Sequence, residues 1–285
     1  MWKPLVIALA ATSLLLTGCA ADEEPSGEES STDTAAAFYP LGWLAERVGG
    51  DVRLLTSPGV EPHDLELSPQ QVAQVADADV VLLLGGFQPA VDDAVQQQAA
   101  GEVVDVAEVV DLVDGDPHFW QDPMRMAAAA RAVGDAYLET NPDQADDLQT
   151  ATDELVADLE RLDAEYRKGL ADCRTTTVVT SHDAFGYLGE SYGLELLPIA
   201  GIDPSAEPSP ERLAELADLV DERGVTTIFT ETLVSPAVAE TLADEAGVSV
   251  ATLDPIEGLT DETADEDYLS LMRANLAALQ EANGC

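Results

Sequence analysis

Histidine is rare in this chain, and the positions of its three histidines suggest a metal site. His63, His118 and His182 each lie just beyond a predicted strand, beside an acidic residue or a proline. Three neutral imidazoles and one carboxylate form the ligand set of a tetrahedral zinc site. We therefore predict that these histidines, although distant in sequence, converge on one metal ion. The sequence has no CxxC or HExxH motif that would form a metal site within one short segment.

The fourth ligand is expected to be a carboxylate. Asp254 and Glu231 each follow a predicted strand in the second half of the chain. We prefer Asp254, although an aspartate before a proline is also typical of a turn. Glu231 is the rival ligand, and its alternative role is to support the cleft. Glu61, two residues before His63, either reaches the metal or stabilises its own loop.

Four further acidic residues flank the histidines and are candidates for orienting the imidazole rings. A carboxylate that accepts a hydrogen bond from the ring nitrogen not bound to metal fixes the orientation of the ring. Ordinary solvation or helix capping is the alternative for each of them. They are Asp64, Asp116, Asp122 and Asp183.

Distant ligands need a scaffold that brings them to one edge, and the hydrophobic pattern predicts one. Short apolar runs alternate with helical segments, which indicates parallel sheets with right-handed crossovers. In such sheets, ligands bind outside the carboxyl ends of the strands. The predicted fold is α/β, with two βα lobes that each contain a parallel four-stranded sheet. The predicted strands cover residues 35–39, 52–56, 79–84, 102–106, 176–181, 194–199, 226–230 and 248–253.

A long helix, predicted over residues 143–171, separates the two groups of strands. Leucine residues recur along it at helical spacing from Leu148 to Leu170, which gives one apolar stripe. A helix of this length measures about 40 Å, which suits a strut between lobes. We predict an N-terminal βα lobe over residues 35–142 and a C-terminal βα lobe over residues 172–285. The alternative is a surface helix of one larger domain.

The first residues have the pattern of an exported lipoprotein. A lysine precedes an apolar run of 12 residues, shorter than the about 20 that span a bilayer. The sequence Leu16-Thr17-Gly18-Cys19 then resembles a lipobox, in which the chain is cut before a cysteine that becomes lipidated. We predict a signal peptide over residues 1–18, a lipid anchor on Cys19, a flexible tether over residues 19–34, and an extracytoplasmic location at the membrane. An ordinary signal peptide is the alternative.

Export also bears on the two remaining cysteines. In an oxidising compartment Cys173 and Cys285 are expected to form a disulfide. Two cysteines also bind metals, but neither of these lies near a histidine in the sequence.

The charge of the chain excludes one class of function. The formal net charge is -44, so the protein would repel phosphate, and unassisted nucleic-acid binding is excluded. The same charge is typical of a solvated acidic surface.

Several short segments together resemble the metal-binding solute-binding proteins of bacterial ABC importers, the zinc/manganese group. The resemblance covers essentially the whole mature chain. It implies two βα lobes, one long helix between them, and a metal in the interlobe cleft. The segments are Phe38-Tyr39-Pro40, Glu61-Pro62-His63-Asp64, Asp116-Pro117-His118-Phe119-Trp120, Ser181-His182-Asp183-Ala184-Phe185 and the segment around Asp254.

The resemblance also implies a ligand set and a function. It implies His63, His118, His182 and Asp254 as ligands, and a histidine at the third position goes with zinc. We expect a monomer without enzymatic activity that binds zinc as a transported ligand and delivers it to a membrane permease. The alternatives are a manganese or iron member of the same family, an exported zinc hydrolase with three histidines and a bound water, and a lipoprotein adhesin whose histidines are incidental.

Overall fold

Two parallel sheets organise the chain in the computed structural model, which describes residues 31–113 and 115–285. The predicted signal peptide, the predicted lipidation of Cys19 and most of the predicted tether lie outside the described residues. Within them, no helix combines the length and the apolar character needed to cross a membrane.

The first lobe holds four parallel strands in the order β2-β1-β3-β4. Because each strand returns by a crossover to run parallel to its neighbours, all four carboxyl ends lie on one edge of the sheet. The strands are β1 (Thr32–Ala36), β2 (Gly50–Leu54), β3 (Val80–Leu83) and β4 (Glu102–Asp105). The helices are α1 (Tyr39–Val48), α2 (Pro69–Asp77), α3 (Pro89–Gln98) and α4 (Pro123–Thr140).

Strand β1 begins three residues earlier than the predicted strand over residues 35–39, so the prediction that the tether reaches residue 34 is wrong at its end. The polar start of this strand concealed it. Thr32 and Thr34 are buried, and their hydroxyl groups find partners inside the lobe. The Thr34 hydroxyl lies 2.6 Å from the Tyr137 hydroxyl, and Asn141 Nδ2 donates to Thr32 Oγ1. Threonine is β-branched and suits a strand once its hydroxyl is hydrogen-bonded.

The helix α5 (Ala145–Gly169) joins the two lobes. It has 25 residues, and at 1.5 Å per residue it is about 37 Å long. Its leucine stripe is buried, and it packs against α4 and α1 of the first lobe and against α9 (Tyr268–Asn283) of the second. At its C-terminal end, Tyr166 donates from its hydroxyl to the Met272 carbonyl of α9 over 2.6 Å.

The second lobe repeats the arrangement of the first, with strand order β6-β5-β7-β8. The strands are β5 (Thr177–Thr180), β6 (Glu195–Pro198), β7 (Thr227–Thr230) and β8 (Ser249–Thr252). The remaining helices are α6 (Gly186–Tyr192), α7 (Pro210–Arg223) and α8 (Ala237–Ala246). Ser209 caps α7 by accepting a hydrogen bond from Arg212 N–H, and Gly224 ends it with a φ of 64°. Capping and proline signals thus fixed the predicted limits of α7.

The predicted disulfide between Cys173 and Cys285 is confirmed. It ties the C-terminal end of the chain, just after α9, to the segment that leads into β5. The Asn283 carbonyl, close to the disulfide, also accepts a hydrogen bond from Arg174 N–H over 3.0 Å. This end of the lobe lies at the amino ends of the strands, opposite the edge on which the histidines are found.

Candidate metal centre

Three loops at the carboxyl ends of strands carry the three histidines to one place. His63 lies in the loop between β2 and α2. His118 precedes a short 3-10 turn that leads into α4, and His182 follows β5 by two residues. Their ring nitrogens, together with a carboxylate oxygen of Glu257, all lie within 4.8 Å of one another. The structure therefore brings together the three histidines that the sequence predicted.

The distances within this group fit a tetrahedral zinc ion. Glu257 Oε1 lies 3.3 Å from His63 Nε2, 3.0 Å from His118 Nε2 and 3.4 Å from His182 Nε2. The Nε2 atoms of His118 and His182 are 3.4 Å apart. Neighbouring ligand atoms of a tetrahedral zinc ion, with bonds of about 2.0–2.1 Å, are separated by about 3.3 Å. Four of the six separations are therefore close to the tetrahedral value, and the two between His63 and the other histidines are at most 4.8 Å.

Asp254, the preferred fourth ligand in the sequence analysis, lies outside this group. Its Oδ1 accepts a hydrogen bond from Ile256 N–H over 2.8 Å, and its Oδ2 accepts one from the Thr232 hydroxyl over 3.2 Å. Its carboxylate thus stabilises the turn after β8, and the carboxylate that faces the histidines belongs to Glu257. Glu257 lies in the same segment after β8, and it was not among the carboxylates singled out from the sequence.

His118 is oriented by an acidic residue of its own loop. Asp116 Oδ1 accepts hydrogen bonds from His118 N–H over 2.9 Å and from the ring Nδ1 over 2.7 Å. An ionised carboxylate is an acceptor only, so Nδ1 carries the proton and the lone pair of Nε2 points into the centre. Asp116 was one of the four flanking carboxylates considered for this role.

His182 is oriented by Glu231, the rival ligand whose alternative role is to support the cleft. Glu231 Oε2 accepts a hydrogen bond from His182 Nδ1 over 2.6 Å, and its Oε1 accepts one from His182 N–H over 2.9 Å. Both residues are buried. The carboxylate at the end of β7 therefore supports the histidine at the end of β5, because these two strands are neighbours in the sheet.

The remaining acidic candidates have other roles. Asp122 caps α4 through Met124 N–H at 2.7 Å and pairs with Arg125. Glu61 Oε1 accepts a hydrogen bond from His63 N–H over 3.0 Å, so it stabilises the loop. For Asp64 and Asp183, no hydrogen bond to a histidine ring is found among the described residues.

Charge and burial shift the pKa values of this group. Burial lowers the pKa of His182, but hydrogen bonds to Glu231 and Glu257 outweigh this effect and raise the pKa to about 10. Burial likewise lowers the pKa of His118, and Asp116 and Glu257 raise it above the usual value. Burial raises the pKa of Glu257, whereas the histidines lower it well below its usual value. A cation bound here would compete with protons for the imidazole nitrogens.

Solvent reaches the centre only slightly, and mainly at His63. The side chain of His63 is 10% exposed, whereas those of His118, His182 and Glu257 are exposed by 1% or less. His63 lines an opening of about 300 Å³ together with Phe87, Leu112, Asp116 and Ile202, among others. The ring edge of Phe87 packs against His63 at a centroid distance of 4.8 Å. Apolar side chains therefore form much of the entrance.

Comparison with known proteins extends this description. The family model of the zinc-uptake complex component A, periplasmic (ZnuA), matches residues 35–282. The high-affinity zinc uptake system protein ZnuA of Bacillus subtilis is 30% identical over 311 residues, which cover 99% of this chain and 97% of that protein.

Two further comparisons concern AdcA of Streptococcus pneumoniae. This zinc-binding lipoprotein is 31% identical over 296 residues, but the chain spans only 58% of its length. The crystal structure of the Zn(II)-bound ZnuA-like domain of AdcA superimposes with a TM-score of 0.78 at 32% identity, covering 90% of this chain and 100% of that domain. These matches confirm the resemblance found in the sequence and the predicted two-lobe α/β fold.

Proposed function

The chain belongs to the family of the periplasmic zinc-uptake complex component A, and we propose that it captures Zn²⁺ between its two lobes and delivers it to the membrane permease of an ABC importer. Membership in this family confirms the predicted class, a binding component rather than an enzyme. The observation that carries the proposal is the convergence of three histidine nitrogens and one carboxylate oxygen within 4.8 Å.

The proposed ligands are His63, His118, His182 and Glu257. Imidazole nitrogens favour zinc, whereas manganese prefers oxygen ligands in an octahedral arrangement. This donor set therefore favours zinc over the manganese alternative. Four protein ligands also close the coordination shell, so no position is left for an activated water, as a zinc hydrolase would require.

The proposal includes the cell envelope. We infer that residues 1–18 are removed as a signal peptide, that Cys19 carries a lipid, and that a tether joins it to a first lobe ending near residue 142. The order of the first residues supports this inference, and the relative AdcA is named a lipoprotein. The second lobe follows α5 from residue 172. A monomer held at the outer face of the membrane would then present zinc to its permease.

A competition titration tests the metal. Metal-free protein is titrated with zinc and with manganese against a chromogenic chelator. One tightly bound zinc per chain, retained in excess manganese, is the expected result, since the donor set is mainly imidazole. A preference for manganese would overturn the assignment of zinc but leave the fold assignment intact. If neither metal bound, the proposed function would be overturned.

A matched pair of variants tests the fourth ligand. Glu257→Gln and Asp254→Asn each replace a carboxylate by an amide of nearly the same shape. We expect Glu257→Gln to lower zinc affinity by more than the about 10- to 100-fold typical of residues that only support ligands. Asp254→Asn keeps an oxygen that accepts from Ile256 N–H, so zinc affinity should change only a few-fold. The reverse order of effects would assign the ligand to Asp254.

A further inference from the structure

The turn that carries Glu257 adopts a conformation that its sequence does not favour. Ile256, the residue before Glu257, has a φ of 59°, in the left-handed region. This region is unfavourable for a β-branched residue, and such a conformation persists only where its surroundings impose it. Ile256 is also fully buried. The Asp254 carboxylate stabilises the turn from within by accepting from Ile256 N–H, and contacts from outside the turn add to this.

Asn275 of α9 holds the beginning of this turn. Its Oδ1 accepts a hydrogen bond from Asp254 N–H over 2.8 Å, and its Nδ2 donates one to the Asp254 carbonyl over 2.6 Å. Asn275 is 2% exposed and lies on the buried face of α9, close to Met272, Leu276 and Leu279. Burying an amide on an apolar face is unfavourable unless its groups are hydrogen-bonded. Here both of them bind a single residue of the turn.

The first lobe holds the same turn from the other side. Trp120 Nε1 donates to the Pro255 carbonyl over 2.7 Å, and Gln121 Nε2 donates to the same oxygen. Both residues lie in the short 3-10 turn that begins just after His118. The backbone between Asp254 and Glu257 is therefore fixed by α9 of the second lobe and by the 3-10 turn of the first.

We propose that Asn275 is a positioning residue for the metal centre. It fixes the turn after β8, and through the turn it places the Glu257 carboxylate against the three histidines. The inference rests on the proposed zinc site. Helix α9 contributes no proposed ligand, but through Asn275 it controls the position of the fourth ligand of zinc.

A double-mutant cycle separates positioning from general destabilisation. Zinc affinity is measured for the unmodified full chain, for Asn275→Ala, for Glu257→Ala and for the double variant. If Asn275 acts through Glu257, Asn275→Ala lowers zinc affinity by about 10- to 100-fold in the unmodified background. The same substitution then has almost no further effect when Glu257 is already absent, because the two substitutions remove one interaction.

A spectroscopic measurement reports the coordination directly. Cobalt(II) absorbs visible light strongly in a tetrahedral site and weakly when water ligands are added. The Co²⁺ complex of Asn275→Ala should lose intensity to the same extent as that of Glu257→Ala. Asn283→Ala is the matched control, since Asn283 is an equally buried asparagine of α9 at the end remote from the centre. It should leave both the spectrum and the zinc affinity unchanged.

An equal loss of zinc affinity from Asn275→Ala in both backgrounds would overturn the inference, as would an unchanged Co²⁺ spectrum. If Asn275→Ala does not fold, Asn275→Ser replaces it in the cycle, since serine keeps a hydroxyl that can bind the Asp254 backbone. A failure of the unmodified chain to bind zinc would instead overturn the proposed function, and with it this inference.

Discussion

The two lobes orient their histidines by different means. In the first lobe, His118 and its carboxylate partner Asp116 are two residues apart in one loop. In the second lobe, His182 and its partner Glu231 are 49 residues apart and meet because β5 and β7 are neighbours in the sheet. His118 is thus oriented within its own loop, whereas His182 acquires its partner only once the second sheet has formed. Predictions can test whether this difference has consequences for zinc binding.

The largest effect is expected from removing one histidine in each lobe. His118→Ala and His182→Ala each delete a proposed ligand, so each should lower zinc affinity by more than the about 10- to 100-fold typical of supporting residues. Competition titration with a chelator measures the loss. Asp64→Asn is the control, because Asp64 is an exposed neighbour of His63. If only one of the two histidine variants lost zinc, a single lobe would hold the metal and the comparison would fail.

An intermediate effect is expected from changing the two carboxylate partners to amides. One oxygen of Asp116 accepts both N–H groups of His118, so the single oxygen of Asp116→Asn can still do so, and affinity should fall only a few-fold. Glu231 uses a different oxygen for each N–H group of His182. In Glu231→Gln one of them must face an NH₂ group, and affinity should fall by about 10- to 100-fold.

The same titrations measure this difference. Equal losses for Asp116→Asn and Glu231→Gln would show that the way in which each carboxylate shares its oxygens has no influence on the site.

The smallest effect on zinc is expected from the disulfide of the second lobe. Cys173→Ser combined with Cys285→Ser opens a loop with a sequence separation of 112. Chain entropy predicts that the free energy of unfolding falls by up to about 4–5 kcal/mol. Zinc affinity should stay the same, because the disulfide lies at the end of the lobe opposite the centre. Thermal unfolding and zinc titration of the double serine variant check both parts, and a loss of affinity comparable to that of Glu231→Gln would contradict the second.

The sequence predicted what depends on local pattern. Each histidine follows an apolar run that forms a strand, and the carboxyl ends of parallel strands share an edge, so the convergence of His63, His118 and His182 could be inferred before the fold was known. The leucine stripe predicted α5, and the capping serine followed by a proline predicted the start of α7. These features depend on residues a few positions apart.

Two features that depend on particular long-range contacts were not predicted. Glu257 follows a left-handed residue, Ile256, in a turn whose Asp254 backbone is hydrogen-bonded to Asn275 and whose Pro255 carbonyl accepts from Trp120. The polar start of β1 became a strand because Tyr137 and Asn141, more than 100 residues away, satisfy its threonines. In both cases a residue distant in sequence changes the backbone conformation that a short segment adopts.

If the four groups bind zinc as proposed, their uneven exposure would set an order of events for exchange of the ion. His63 is the one that solvent reaches, and its loop is held at the Pro62 carbonyl by Gln88, over 3.0 Å. An incoming donor would therefore substitute His63 first, while His118, His182 and Glu257 still hold the ion. Zinc would then transfer to the incoming donor one coordination bond at a time, without passing through a fully hydrated ion.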